Sequence, residues 1–198
     1  MDYGVGNLAS VAKALAFVGA SPNRVSSPEG IAGAQALVVP GVGHFAATTA
    51  LGETWRDAIT AAIARGVPVL GICLGMQWLF DGSTEAPGVP GLGVMTGTCA
   101  ALTGTVKVPH VGWNTLERTA RASVLLAGIG DGAAAYFTHS FAAPVTADSV
   151  ATTTHGRMFA SVVERDRVFG VQWHPEKSGR AGLAVLANFC RFSESVSC

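Results

Sequence analysis

Apolar residues recur along this chain in two rhythms, one of helices and one of buried strands. Leu8, Val11, Leu15 and Val18 fall on one helical stripe, which predicts a helix over Leu8 to Val18 stopped by Gly19. Ala36 to Val39 is a short apolar run, predicted as a buried strand that Pro40-Gly41 breaks. Glu53 to Ala64 returns to the helical period. Val67 to Ile72 is a second buried strand, it runs into Cys73, and Leu74 to Phe80 reads as the helix that follows. Asp81 to Gly91 is rich in Gly and Pro and reads as a loop. Beyond it, Leu92 to Lys107, Ala134 to Thr138, Val150 to Thr154, Phe159 to Val163 and Val168 to Trp173 read as successive strands. Gly179 to Phe192 closes the chain as a helix. The pattern predicts an α/β fold: a three-layer αβα sandwich around a mostly parallel sheet, with antiparallel strands appended in the second half.

One motif sits oddly in that plan. Asp2-Tyr3-Gly4-Val5-Gly6-Asn7 looks like the loop after a strand, yet it starts almost at the first residue. The first strand of the sheet is therefore expected to be largely missing, and such a chain to be less stable than one extended upstream, because each unmade strand hydrogen bond costs roughly 1 kcal/mol.

The bulk numbers narrow the classes. A length of 198 residues suits one domain, 1–198, with room for a full core. The formal net charge is zero and no Lys/Arg cluster stands out, which argues against a nucleic-acid partner. No apolar run approaches the ~20 residues of a membrane helix, and no secretory leader is visible. Charged residues make up 13%, well below the roughly 25% of ordinary soluble domains. A surface so poor in charge fits either cover by a partner or an alanine-rich composition without functional meaning. Cys73, Cys99, Cys190 and Cys198 form no CxxC pair, which suits a reducing cytoplasm.

The sharpest chemical signal is Gly71-Ile72-Cys73-Leu74-Gly75, with a buried strand before it and an apolar helix after it. This is the layout of a nucleophile elbow with Cys in the place of Ser. Small neighbours relieve the crowding of so tight a turn, a helix start favours the thiolate, and the Leu74 N–H points where an oxyanion would develop. A buried structural cysteine among incidental glycines is the plainer alternative. Gln172-Trp173-His174-Pro175-Glu176 follows another apolar strand. His174 can act as general base toward Cys73 and then as general acid, with Glu176 fixing its tautomer. Alone, His-Pro-Glu would pass for a surface turn. Pro40-Gly41-Val42-Gly43 offers backbone N–H groups for a second oxyanion donor, or is an ordinary turn. His44, His110 and His155 need be no more than surface or hydrogen-bonded residues, whereas His139 could face the site. A metal centre from Cys73, His139, His174 and Glu176 matches no zinc spacing, so neither metal nor cofactor is expected.

Gly71-Ile72-Cys73-Leu74-Gly75-Met76-Gln77 together with His174-Pro175-Glu176 resembles the class I, triad-type glutamine amidotransferases. Asp2 to Asn7, Pro40 to Gly43, Lys107 to Asn114, Thr138 to Phe141 and Gln172 to Gly179 are similar, in order, to segments of the glutaminase subunits of imidazole glycerol phosphate synthase, from histidine biosynthesis. The resemblance implies a flavodoxin-like fold and a glutaminase that releases ammonia through a Cys73 thioester. It implies His174 as proton shuttle and Glu176 as its orienter, oxyanion amides at Val42 and Leu74 beside Gly41, and contacts to glutamine from Gln77, His139, Ser140 and Phe141. Family members usually carry Tyr where Phe141 stands here. The implied partner is a (β/α)8-barrel cyclase subunit, joined as a heterodimer through surfaces that include Asn7, Trp113 and Lys177. The amide at Val42 is thought to reorient when the partner binds its own ligand, which would make the activity allosteric. A glutaminase serving another biosynthetic pathway, a non-catalytic regulatory subunit and a cysteine peptidase with a similar elbow are the competing readings.

Overall fold

The computed structural model describes residues 1–196, so Cys198 lies outside the described residues. Asn7 caps the first helix, α1 (Leu8–Phe17), its side chain accepting the Ser10 N–H at 3.4 Å. Val11, Ala14 and Leu15 form the buried stripe of that helix. The strand β1 (Leu37–Gly41) follows, then α2 (Glu53–Ala64), β2 (Val69–Cys73) and α3 (Leu74–Trp78). The second half contributes β3 (Gly82–Ser83), β4 (Thr98–Ala101), β5 (His110–Arg118), β6 (Ala133–His139), β7 (Phe141–Ala142), β8 (Ser149–His155), β9 (Arg157–Arg165), β10 (Val168–Val171) and the long closing helix α4 (Gly179–Ser195).

The main sheet runs β1-β2-β10-β9-β8-β5-β6. β1, β2 and β10 are parallel, and the four strands beyond β10 are joined antiparallel. A small sheet, β3-β4-β7, stands apart. The alternation of side chains along the parallel strands divides the core into two layers. Leu70 and Ile72 of β2 with Phe169 and Val171 of β10 pack on one face, against Val11 and Leu15 of α1 and Val185, Leu186 and Phe189 of α4. Val69 and Val168 point the other way, with Leu37 and Val39, toward Trp55 and Ile59 of α2 and Met76 of α3. These are the three layers, helices on both faces of one sheet.

Several elements differ from the sequence reading. β1 is not broken at Pro40-Gly41: both residues stay in register with Ile72 and Cys73. β1 is hydrogen-bonded to one strand only, so the N–H that proline lacks is not needed by a second partner. Of the run Leu92 to Lys107, only Thr98–Ala101 is strand. Side chains hold parts of the remainder: Arg165 Nη1 donates to the Val94 carbonyl at 2.6 Å, and His155 Nε2 to that of Lys107 at 2.9 Å. β5 was not foreseen, because Val111, Trp113 and Thr115 are exposed and only His110 and Leu116 are buried. In the segment before α1, the Met1 ammonium donates to the Val38 carbonyl at 2.8 Å and the Asp2 N–H to that of Val25 at 2.7 Å, so the outer flank of β1 is partly occupied. Among the described residues, no helix is long and apolar enough to cross a membrane.

Candidate active site

The carboxyl ends of the parallel strands meet at one edge, where open α/β sheets usually bind their ligands. β2 ends in Cys73, whose backbone has φ +53° and ψ −109°. Few non-glycine residues adopt such a conformation, which costs about 1–3 kcal/mol. Two glycines make the turn possible. A Cβ on Gly75 would lie 1.8 Å from the Val39 carbonyl oxygen, and one on Gly71 would lie 2.7 Å from the Gly75 backbone. The strand–turn–helix is thus packed backbone against backbone.

β10 ends at Val171, and the chain carries Gln172, Trp173 and His174 on from it, all buried. His174 Nδ1 stands 2.9 Å from Glu176 Oε1, and the two side chains are 2% and 1% exposed. A carboxylate only accepts, so Nδ1 carries the hydrogen and Nε2 is the nitrogen left for chemistry. That Nε2 has no hydrogen-bond partner among the described residues. Gln172 Nε2 approaches the Cys73 sulfur at 3.8 Å, and Gln77 Nε2 donates to Gln172 Oε1 at 3.1 Å and to the Phe141 carbonyl at 2.7 Å. A cavity of about 270 Å³ opens here, lined by Gly43, Cys73, Leu74, Gln77, Glu85, Pro109 and residues 138–141. It falls just under the usual range for ligand pockets, which suits an amino acid better than a peptide.

The glutamine amidotransferase class-I family matches residues 1–191. The chain belongs to that family. Imidazole glycerol phosphate synthase subunit HisH of Thermococcus kodakarensis is 47% identical, over 96% of this chain and 97% of its own length. The subunit of the same name from Salinibacter ruber is 46% identical, over 96% and 91%. Among solved structures, a glutamine amidotransferase superposes with a TM-score of 0.76 at 19% identity, covering 96% of this chain and 95% of the other. PurLQS of Thermotoga maritima gives 0.75 at 20%, with the same coverage. These two speak for the fold, and the curated relatives identify this class-I amidotransferase as a HisH-type glutaminase.

In this amidotransferase the electrostatics favour a protonated imidazole at His174. Burial by itself lowers the affinity of His174 for a proton. The nearby Cys73 sulfur and the hydrogen-bonded Glu176 carboxylate outweigh it and lift the pKa to about 9. The five-residue α3 has little dipole to add. The wall at residues 138–141 is neutral: burial drives His139 down to about 3, although the Phe141 carbonyl opposes the shift. Gly41 ends β1, Val42 beyond it is 38% exposed, and Leu74 is buried next to the sulfur at the start of α3. Asn7 is exposed at its cap. Trp113 is 59% exposed, its ring 6.0 Å edge-to-face from Tyr136, and Lys177 Nζ lies 5.8 Å over that same tyrosine. Trp113 and Lys177 therefore share one patch.

The sequence reading missed three residues of the amidotransferase site. Glu85 comes from the loop after β3; it lines the cavity, and its carboxylate accepts the Phe45 N–H at 2.8 Å. Gln172 was read only as part of a motif, yet it bridges Gln77 and the sulfur. Tyr3 donates its buried hydroxyl to the Pro40 carbonyl at 2.8 Å, just ahead of Gly41. Burial and the charge of Cys73 both hold that phenol in its protonated, donating form. His110, read as an unremarkable turn residue, is buried at the start of β5. Among the described residues, no group of His, Cys, Asp and Glu could hold a metal ion.

Proposed function

We propose that Cys73, His174 and Glu176 of this glutaminase release ammonia from glutamine and pass it to a cyclase subunit. The observation that carries the assignment is the strained Cys73 elbow beside a buried, carboxylate-bound imidazole whose pKa is raised to about 9. Glutamine enters the cavity with its side-chain amide at the sulfur. Its ammonium group lies toward Glu85 and its amino-acid end against His139, Ser140 and Phe141. The Cys73 thiolate attacks the amide carbon. The oxyanion takes hydrogen bonds from the backbone N–H groups of Leu74 and Val42. His174 gives its Nε2 proton to the departing nitrogen, and ammonia leaves a thioester behind. His174, now neutral, takes a proton from water as the water oxygen attacks the thioester carbon. Glutamate departs and the thiolate–imidazolium pair is restored. Glu176 stays ionised and keeps Nδ1 protonated throughout.

The whole chain, 1–198, works as one amidotransferase domain within a heterodimer in the cytoplasm. The patch of Trp113 and Lys177, with Asn7, docks on a (β/α)8-barrel cyclase. A sealed contact is needed because ammonia that meets water becomes ammonium, which has no lone pair to attack with. Imidazole glycerol phosphate formation then draws its nitrogen from this site, and the amide at Val42 completes the oxyanion hole when the cyclase binds its nucleotide. Glutamate release should be measured for wild type and Cys73→Ala, with and without the cyclase and its nucleotide. Release by wild type that grows with the liganded partner, and none by the variant, is expected. Equal release by both proteins would refute the assignment.

A further inference from the structure

His110 is a buried imidazole that takes no part in the chemistry above. It opens β5 and stands opposite His139 in the ladder with β6. Its Nδ1 is 3.3 Å from His139 Nε2, and its Nε2 is 3.3 Å from Asn114 Nδ2. The direction of every bond in this row is fixed by its ends. The Phe141 carbonyl, 2.9 Å from His139 Nδ1, can only accept, so His139 carries its hydrogen on Nδ1. His139 Nε2 must then accept, and His110 Nδ1 must donate. His110 Nε2 accepts in turn from the Asn114 amide, whose other hydrogen goes to the Thr154 carbonyl at 3.0 Å. The amide cannot be turned over, because its oxygen accepts the Thr115 N–H at 2.8 Å and would otherwise face the Thr154 oxygen.

We propose that His110 is a positioning residue for the amino-acid end of the substrate site: it locks His139 in the Nδ1–H tautomer and thereby fixes the Phe141 carbonyl that Gln77 also holds. The part concerning substrate rests on glutamine occupying the cavity. The row has no place for an extra proton, since protonating either ring would set two donors against each other. Burial, which lowers His110 to about 4 and His139 to about 3, keeps both rings neutral. The ionisable groups facing them are His155, stacked on His110 at 4.0 Å, and His174, whose charge reaches His139. Phe137 stacks on His110 from within β6 at 4.8 Å.

Two measurements on the full chain test the proposal. Nitrogen-15 NMR of labelled histidines in the wild type should show His110 and His139 as neutral Nδ1–H tautomers at pH 7. In His110→Phe, which keeps a ring for the stack and removes both nitrogens, the His139 signal should leave that pure state. The second measurement is labelling of Cys73 by a diazoketone analogue of glutamine. In His110→Phe its half-saturating concentration should rise about ten-fold, while the maximal labelling rate changes less than about two-fold. Labelling by iodoacetamide, which needs no amino-acid contacts, should not change. His110→Asn restores an N–H donor near the Nδ1 position and should recover most of the affinity. A wild-type His139 in the Nε2–H tautomer overturns the proposal even if His110→Phe does not fold. So does unchanged analogue affinity in a folded His110→Phe, or in His110→Asn no recovery. Failure of glutamine to protect wild-type Cys73 would strike the glutamine reading instead, leaving the tautomer result to stand on its own.

Discussion

Two strand pairs of the central sheet, the inner β2 and β10 and the outer β5 and β6, border the same cavity and are built differently. β2 and β10 are buried along their whole length, flanked by strands and covered by helices on both faces. β5 and β6 show one exposed or half-exposed residue after another, and β6 forms the outer edge. The first pair delivers the sulfur and leads into the imidazole, and the second delivers one wall of the cavity and the aromatic surface. A strained nucleophile needs surroundings that cannot relax, and only the doubly covered strands supply them. A cavity wall and an exposed aromatic patch need side chains at the surface, and a strand with one free face presents them without disturbing the core.

If that division holds, the largest effects belong to the buried pair. Glu176→Gln keeps the size of the side chain but removes the charge that orients and protonates His174. Glutamate release should fall by about 10⁴-fold, as for an equivalent change in a serine triad, with little change in fold. Steady-state rates of the partnered enzyme would show it; a loss below ten-fold would place the orienting role elsewhere. Next comes Gly75→Ala, which drives a methyl group onto the Val39 carbonyl. A loss of about 3 kcal/mol in denaturant-induced unfolding is expected, since β1 and α3 must part to admit it. On the other side of the comparison, Trp113→Ala should leave stability within about 0.5 kcal/mol of wild type. It should weaken cyclase binding about ten-fold by titration calorimetry, as loss of an aromatic anchor does. A large drop in melting temperature for that variant would erase the distinction between the two pairs.

The same contrast explains what the sequence disclosed. β2 was legible because a strand covered on both faces is a continuous apolar run, and its end at Gly-x-Cys-x-Gly marks the elbow. α2 was legible from its period and matched to both ends. β5 was hidden because its burial alternates while its hydrophobicity does not: seven consecutive residues pair with β6, but the inward positions include His110, Gly112 and Asn114, and Val111 and Trp113 face out. The strand content of residues 92–107 was overestimated because an apolar run does not reveal that side chains of β8 and β9 hold it by its carbonyls. Glu85 was overlooked for a related reason. Nothing local distinguishes a carboxylate in a Gly/Pro-rich loop from any solvated one, and its value comes from where the loop folds. Cys73 and His174 could be paired from sequence because each carries its own local signature, whereas Gln172 and His110 act through partners remote in sequence.

The smallest effect concerns pH, and its sign follows from His174. Folding raises its pKa from the ordinary 6.5 to about 9, because the native state binds that proton more tightly than the unfolded chain does. The stabilisation is therefore complete below pH 6.5 and declines as pH rises toward and through 9. Between pH 6.5 and 9.5 the unfolding free energy should fall by roughly 1–2 kcal/mol on this account. Cys73→Ala removes one of the two groups that hold the proton, so its stability curve should be flatter over that window. Trp113→Ala, remote from the pair, should keep the wild-type slope. Denaturant titrations of the three proteins at several pH values decide it. Parallel curves for wild type and Cys73→Ala would mean that the sulfur does not hold the imidazolium, and the buried strands would lose their claim to a charged pair while keeping the strained turn.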